Sequence, residues 1–340
     1  MSEKYRVQAK VLSMEEISAD IFSLWIQTGE MAAAARPGQF VSLYCDDGSR
    51  ILPRPISICE IDREAGTLRL VFRIAGAGTR ELSRKRAGDT IPVVGPLGNG
   101  FPLAEIASGA AAGSDMVFCE ETPAQIDGIS LEQNQIKQNP SLGEGTAAAQ
   151  RDHSAVSRKG VSANPADSHS QAEQTDSSAE PKAILKRTVF LIGGGIGIPP
   201  MLELAKALRE EGCRVQAILG YRNSDTFLLE EFRAQSEVFL ATEDGSLGTR
   251  GNVLDAIREG GLSAQVLCAC GPTPMLRALK TFALEHDLTA WLSLEEKMAC
   301  GIGACLACVC KSTEVDAHSQ VKNKRICKEG PVFEAREVEL

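Results

Sequence analysis

An α+β multidomain protein is expected from this sequence: a six-stranded antiparallel β-barrel, a doubly wound parallel α/β domain, and a small C-terminal domain built around cysteines. Three observations lead there. Short apolar runs punctuated by turns fill the first hundred residues. Strand and helix patterns alternate from residue 187 onward. Four of the eleven cysteines then fall within "ACGIGACLACVC", residues 299–310.

Residues 1–104 carry "YRVQAKVLS", "IFSLWIQT", "GQFVSLYC", "RPISICEI", "TLRLVFRIA" and "DTIPVVG". Several of these alternate apolar and polar residues, the period of a half-buried strand, and Pro-Gly, Asp-Asp-Gly and Ala-Gly-Asp separate them. Even spacing without long helical patterns suits a small closed barrel.

Composition changes over residues 105–186, which are rich in Ser, Ala, Gln and Asn and lack any aromatic residue between Phe118 and Phe190. Such a stretch cannot bury enough apolar surface to offset its ordering entropy. It is expected to be a low-complexity, disordered insertion, with "DMVFCEE" its one candidate for an ordered piece.

Residues 187–290 open with "RTVFLIGGGIGIPPMLELAKALREEG": a buried strand, a glycine turn and a helix with Leu204, Ala205 and Leu208 on one face. Strands at "VQAILGY", "VFLATED", "VLCACG" and "WLSLEE" alternate with helices at "FLLEEFRAQ", "GNVLDAIREG" and "TPMLRALKTFALEH". That alternation predicts a parallel, doubly wound sheet. Residues 291–340 hold the cysteine cluster and little regular pattern.

With 340 residues the chain is long enough for two or three domains. A net charge of -9 and the lack of a basic run give nucleic-acid binding no support. The N-terminus "MSEKYRVQAKVLSMEEI" has no signal-peptide core, and no apolar run is long enough to cross a bilayer. A cytoplasmic setting with reduced thiols is the expectation, in which clustered cysteines point to metal or redox chemistry.

Cys300, Cys305 and Cys308 follow C-x4-C-x2-C, the spacing of plant-type [2Fe–2S] sites. Gly301 and Gly303 let a short loop wrap a cluster, and its N–H groups can donate to sulfur. The fourth ligand should come from outside the loop. Cys310 lies two residues past Cys308 and in an extended segment points the other way, so Cys327, in "KNKRICKEG", is preferred. A structural zinc held by four thiolates is the competing reading, although zinc knuckles favour paired C-x2–4-C spacing. A plain buried-cysteine core is disfavoured by the loop glycines.

In "LIGGGIGIPPM", Gly193, Gly195 and Gly197 join a strand to a helix, where a pyrophosphate can approach free N–H groups. A ligand-free packing turn is the alternative. "CACGPTPML" closes another strand and brings Cys270 to the C-terminal edge of the sheet, where ligands of open α/β sheets sit. Alone, Cys270 reads equally as a small buried residue. Tyr221 and Arg222 end a strand beside which an adenosine ribose could lie, leaving NAD against NADP open. In the barrel, Arg54 of "RPISI" could bind a pyrophosphate and Ser57 could place a hydroxyl beside a flavin nitrogen. In "VFRIAGAGT", Gly76 and Gly78 would allow close approach and Thr79 would add a phosphate donor. Taken singly, these are an ordinary strand-edge arginine and an ordinary loop.

Together the R-x-x-S barrel motif, the GxGxG turn and the terminal C-G-P-x-x-M resemble the ferredoxin–NADP reductase superfamily. The order of "RPISI", "GPLGNGFPL", "GGGIGIPPM", "EDGSLGTRG", "CGPTPML" and "EEKMACGIGACLACVC…KRICKEGPVF" is similar to the electron-transfer subunits of class 1B dihydroorotate dehydrogenases. The 105–186 stretch departs from that pattern, and the spacer between Cys308 and Cys327 is somewhat long for it. The resemblance implies FAD contacts at Arg54, Pro55, Ile56, Ser57, Val71, Phe72, Arg73, Gly78 and Thr79. It implies NAD(H) binding at Gly193, Gly195, Gly197 and Pro200 and at Cys270, Gly271, Pro272 and Met275. It implies [2Fe–2S] ligation by Cys300, Cys305, Cys308 and Cys327.

The implied activity is electron transfer between NAD(H), FAD and the cluster, onward to an FMN-containing dihydroorotate dehydrogenase catalytic subunit of pyrimidine biosynthesis. A heterotetramer of two plus two chains is likewise implied, while the charge and the short apolar runs lead to no expectation of a nucleic-acid or membrane partner. No general base is needed in this chain, which suits its few histidines: His153 and His169 lie in the insertion, and His286 and His318 lack a constellation. The alternatives are the flavin-containing small subunit of an NADH-dependent ferredoxin:NADP oxidoreductase, a lone diaphorase, and a non-catalytic zinc-binding regulatory module.

Overall fold

The computed structural model describes residues 3–108, 187–315 and 320–340. The expected insertion lies outside them from residue 109 on, with "DMVFCEE", His153 and His169, as does His318.

Six strands close the barrel in the order β1-β2-β5-β4-β3-β6. They are β1 (Tyr5–Ser18), β2 (Ile21–Gln27), β3 (Phe40–Leu43), β4 (Arg54–Asp62), β5 (Thr67–Arg73) and β6 (Thr90–Leu97), every pair antiparallel. Alternation decides which side chains turn inward. Leu24 and Ile26 of β2, Val41 and Leu43 of β3, Leu68, Leu70 and Phe72 of β5, and Ile91 and Val93 of β6 fill the barrel core. Two short helices, α1 (Glu30–Ala34) and α2 (Ala77–Leu82), interrupt the strands. Neither spans two helical turns, so neither leaves a periodic signature in the sequence. A third, α3 (Leu103–Ser108), crosses the expected limit at residue 104 and buries Ile106.

The second sheet runs β10-β9-β8-β7-β11-β12-β15. Its parallel members are β7 (Thr188–Gly194), β8 (Arg214–Tyr221), β9 (Glu237–Thr242), β10 (Thr249–Arg250), β11 (Val266–Cys270) and β12 (Thr289–Ser293). All seven residues of β7 are buried, as a central strand covered on both faces must be. The covering helices are α4 (Pro199–Glu210), α5 (Leu229–Arg233), α6 (Val253–Glu259) and α7 (Thr273–Glu285). Helix α4 starts with two prolines, where a missing N–H costs nothing, and buries Leu204, Ala205 and Leu208. Helix α6 begins in a capping box. Asn252 Oδ1 accepts from the Leu254 N–H at 2.9 Å, and Asp255 accepts from the Asn252 N–H at 2.8 Å.

The C-terminal segment adds the hairpin β13 (Val309–Lys311) with β14 (Asn323–Arg325). It then contributes β15 (Val332–Glu334), which pairs antiparallel with β12 and ends the large sheet. An edge strand of three residues is too short to show alternation. The expected divide at 290/291 falls inside β12, so the cysteine-bearing segment is tied to the nucleotide-type sheet by a shared ladder.

Barrel and sheet meet where β4 lies along α4. The Ile61 N–H donates to Glu203 Oε2 at 3.0 Å, and Glu60 pairs with both Lys206 and Arg69. Arg69 also donates to Ser23 Oγ at 2.8 Å. The strand carrying "RPISI" is thereby held against the helix that follows the glycine turn.

Candidate cofactor sites and the cysteine loop

Strand β4 starts at Arg54, whose Nη1 donates to the Leu52 carbonyl at 2.5 Å. Its guanidinium packs on Gly78, where an added Cβ would come within 2.0 Å of Arg54 Nε. Glycine at 78 therefore leaves room for a cationic group at the barrel rim. Thr79 Oγ1 accepts from the N–H groups of Ala75 (2.9 Å) and Gly76 (3.2 Å), fixing the turn into α2. Ser57 pairs across the ladder with Phe40, and Pro55 with Ser42. Ile56 turns toward the barrel core. Phe72 is buried there too, stacked on Phe22 at 6.0 Å, whereas Val71 packs into the core shared with the nucleotide-type sheet. Both side chains are thus committed to packing, which leaves their backbone to meet a ligand, while Arg73 is exposed. This rim suits a flavin with an anionic tail.

Strands β7 and β11 are neighbours, but the chain leaves β7 for β8 on the opposite side. Their C-terminal ends therefore form the topological switch point of the sheet. Gly193 faces Cys270 in the ladder. A Cβ at Gly194 would meet Met275 Sδ at 2.6 Å, and one at Gly197 would meet the Cys270 carbonyl at 2.4 Å. The two nucleotide motifs are thus packed face to face through glycine, beside the α4 N-terminus with Pro200 buried. Burial pushes the Cys270 thiol up to about 12 against a weaker lowering hydrogen bond with Ser293, so it is a neutral thiol. Tyr221 is buried, and its hydroxyl donates to the Phe227 carbonyl at 2.8 Å; Arg222 is exposed. His286 caps α7 with Nδ1 2.8 Å from the Phe282 carbonyl, which is a structural task.

In the cysteine loop the thiols form two pairs. Cys300 Sγ and Cys305 Sγ lie 3.3 Å apart, and the buried Cys308 and Cys327 thiols are neighbours. Gly301 and Gly303 have φ of 68° and 84°, conformations that favour glycine. Backbone N–H groups aim at the sulfurs: Gly303 at Cys327 (3.2 Å), Cys305 at Cys300 (3.4 Å) and Cys327 at Cys308 (3.4 Å). Burial opposes ionisation of Cys300, but the N–H groups of Cys305, Ile302 and Ala304 and the Cys305 thiol outweigh it and lower its pKa to about 6. At the other pair, burial and the adjacent Cys308 push Cys327 up to about 12. Cys310 turns away, its thiol 3.6 Å from the Lys324 carbonyl across the β13–β14 hairpin. Among the described residues no three His, Cys, Asp or Glu side chains are gathered to hold a single metal ion. Two thiol pairs surrounded by N–H donors have the chemistry that an iron–sulfur group would need.

The loop is docked on the barrel. A Cβ at Gly301 would come within 2.9 Å of Ser42 Oγ on β3, and Phe40 of β3 shares a hydrophobic core with Cys308 and Cys327. The "GNGF" turn is pinned to the same segment. The Asn99 N–H donates to the Gly330 carbonyl at 2.6 Å, and Asn99 Nδ2 to that of Glu329 at 2.9 Å. Sequence reasoning missed Ser42, Phe40 and the Glu60–Lys206–Glu203 group. Their roles come from partners far along the chain, and no local pattern marks them.

This architecture defines a reductase-type barrel and nucleotide domain extended by an iron–sulfur domain. Residues 295–339 match the family model of the iron-sulfur cluster binding domain of dihydroorotate dehydrogenase B, and residues 191–281 match the oxidoreductase NAD-binding domain. The "Dihydroorotate dehydrogenase B (NAD(+)), electron transfer subunit" of Listeria monocytogenes is 35% identical over 98% of this chain and 99% of the relative. Its counterpart from a Geobacillus species is also 35% identical, over 98% of each chain. A chain of the NADH-dependent reduced ferredoxin-NADP oxidoreductase structure, a study of flavin-based electron bifurcation, superposes with a TM-score of 0.66 at 25% identity, over 98% of this chain and 90% of that one. The chain belongs to the family of dihydroorotate dehydrogenase B electron transfer subunits. Higher identity at nearly full length separates it from the ferredoxin:NADP oxidoreductase alternative, and the iron–sulfur model match replaces the zinc reading.

Proposed function

We propose that this chain conducts electrons between NAD(H) and an FMN-containing dihydroorotate dehydrogenase catalytic subunit, in the cytoplasm, as half of a two-plus-two heterotetramer serving de novo UMP synthesis. Arg54, Pro55, Ile56, Ser57, Gly78 and Thr79, with the backbone of Val71, Phe72 and Arg73, would hold FAD. Gly193, Gly195, Gly197 and Pro200 with Cys270, Gly271, Pro272 and Met275 would admit NAD(H). Cys300, Cys305, Cys308 and Cys327 would hold the [2Fe–2S] group. When bound, FAD exchanges hydride with NAD(H) and single electrons with the iron–sulfur group.

The protein's own part is positioning. Glu203 and Lys206 keep the flavin strand against the helix after the glycine turn. Arg325 Nη1 donates to the Gly303 carbonyl at 3.0 Å and is fixed by Glu329 at 2.6 Å, which stiffens the cysteine loop. Ile302 and Leu306 on that loop are 49% and 61% exposed, an apolar surface suited to a protein partner.

The observation that carries the reading is the seat of the cysteine loop on β3, whose ladder partner is the "RPIS" strand. The test is co-expression with the catalytic chain. NAD reduction by dihydroorotate should require both chains together, while the catalytic chain alone should pass electrons only to other acceptors. A complex reducing NAD equally well without this chain would refute the proposal.

A further inference from the structure

Ser42 is 1% exposed, and its hydroxyl has no hydrogen-bond partner among the described residues. Burying a hydroxyl unpaired is costly, and alanine would fill nearly the same space without that cost. An unpaired buried donor at such a place signals a group that completes it.

The strand shows where the hydroxyl points. Val41 and Leu43 of β3 face the barrel core, so Phe40 and Ser42 face outward. Phe40 packs in the core that contains Cys308 and Cys327, and Ser42, two residues on, meets Gly301 beside Cys300. Across the ladder on that outer face stand Pro55 and Ser57 of the flavin strand. Gly301 is matched to this contact. Its φ of 68° favours glycine, and any side chain would press on Ser42 Oγ at 2.9 Å. The Ser42 hydroxyl thus sits between the strand assigned to FAD and the loop assigned to the cluster.

We infer that Ser42 is a positioning residue for electron transfer, its O–H held to donate to sulfur of the iron–sulfur group on the Cys300 side. The inference rests on the function proposed above. A donor to cluster sulfur favours the more negatively charged, reduced form, so Ser42 raises the reduction potential of the cluster and eases its loading from the flavin.

The test compares holoprotein of wild type, Ser42→Ala and Ser42→Thr. Iron and flavin contents come first: wild type without iron refutes the proposed function itself, apart from any role of Ser42. With iron present, potentiometric titration followed by electron paramagnetic resonance should give a lower cluster midpoint for Ser42→Ala and a near-normal one for Ser42→Thr. The flavin midpoint should be unchanged. Resonance Raman iron–sulfur bands that shift in D2O for wild type should lose part of that shift in Ser42→Ala. If Ser42→Ala does not load with iron, the same readings on Ser42→Cys, which keeps a weaker donor, should fall below wild type. An unchanged cluster midpoint in the variant that loads, or a shift confined to the flavin, overturns the inference.

Discussion

Gly78 and Arg54 lie face to face: a Cβ added at Gly78 would come within 2.0 Å of Arg54 Nε. Gly78→Ala should therefore displace the guanidinium from the barrel rim and weaken FAD retention about tenfold, which is about 1.4 kcal/mol. The check is the flavin-to-protein absorbance ratio after gel filtration, with iron content unaltered. A fully flavinated Gly78→Ala protein would remove Arg54 from the flavin site.

Gly197 packs on backbone rather than on a flexible side chain, 2.4 Å from the Cys270 carbonyl for an added Cβ. Gly197→Ala must push the glycine turn before α4 away from the C-terminal end of β11, a strain of about 1–3 kcal/mol. The expected outcome is a lower Tm and a KM for NADH raised about tenfold, with FAD and iron retained. Unchanged NADH kinetics would place the nucleotide elsewhere.

Cys327 and Cys310 compete in sequence for one role and differ in geometry. Cys327 pairs with Cys308, while the Cys310 thiol faces the Lys324 carbonyl. Cys310→Ser should keep iron content and the visible spectrum, whereas Cys327→Ser should lose most of the iron or alter the paramagnetic signal. Loss of iron from the Cys310 variant alone would reverse the assignment.

Glu203 ties α4 to the Ile61 N–H in a buried setting. Burial raises its carboxyl pKa above the ordinary 4.5, while the Ile61 N–H, Lys206 and Arg63 oppose the rise. Because the folded value is the higher one, the stability this group contributes is complete below 4.5 and lost as pH climbs through the raised folded value. Relative to Glu203→Gln, the wild type should gain stability as pH falls through that window. Denaturant unfolding at a series of pH values reads the difference, and parallel curves for the two proteins would contradict it.

Much of the scaffold was legible because it is written in local periodicity. The alternation in "TLRLVFRIA" and the apolar run "TVFLIGG" are strands β5 and β7, and the glycines of "GGGIG" mark the turn before α4. The thiol spacing was legible because loop chemistry is local too. What escaped was short or long-range. Helices α1 and α2 are single-turn pieces, and β15 becomes a strand only because β12 offers it an edge. Ser42 reads in sequence as one polar residue of an alternating strand, and Gly301 gives it significance from more than two hundred residues away.

The decisive measurement is an anaerobic titration of the purified holoprotein with NADH, followed by visible absorbance and electron paramagnetic resonance together. Flavin bleaching accompanied by the signal of a reduced [2Fe–2S] centre, both discharged when the catalytic partner and orotate are added, is the expected result. A flavin that bleaches beside a cluster that NADH leaves oxidised, though dithionite reduces it, would contradict the electron path through this chain.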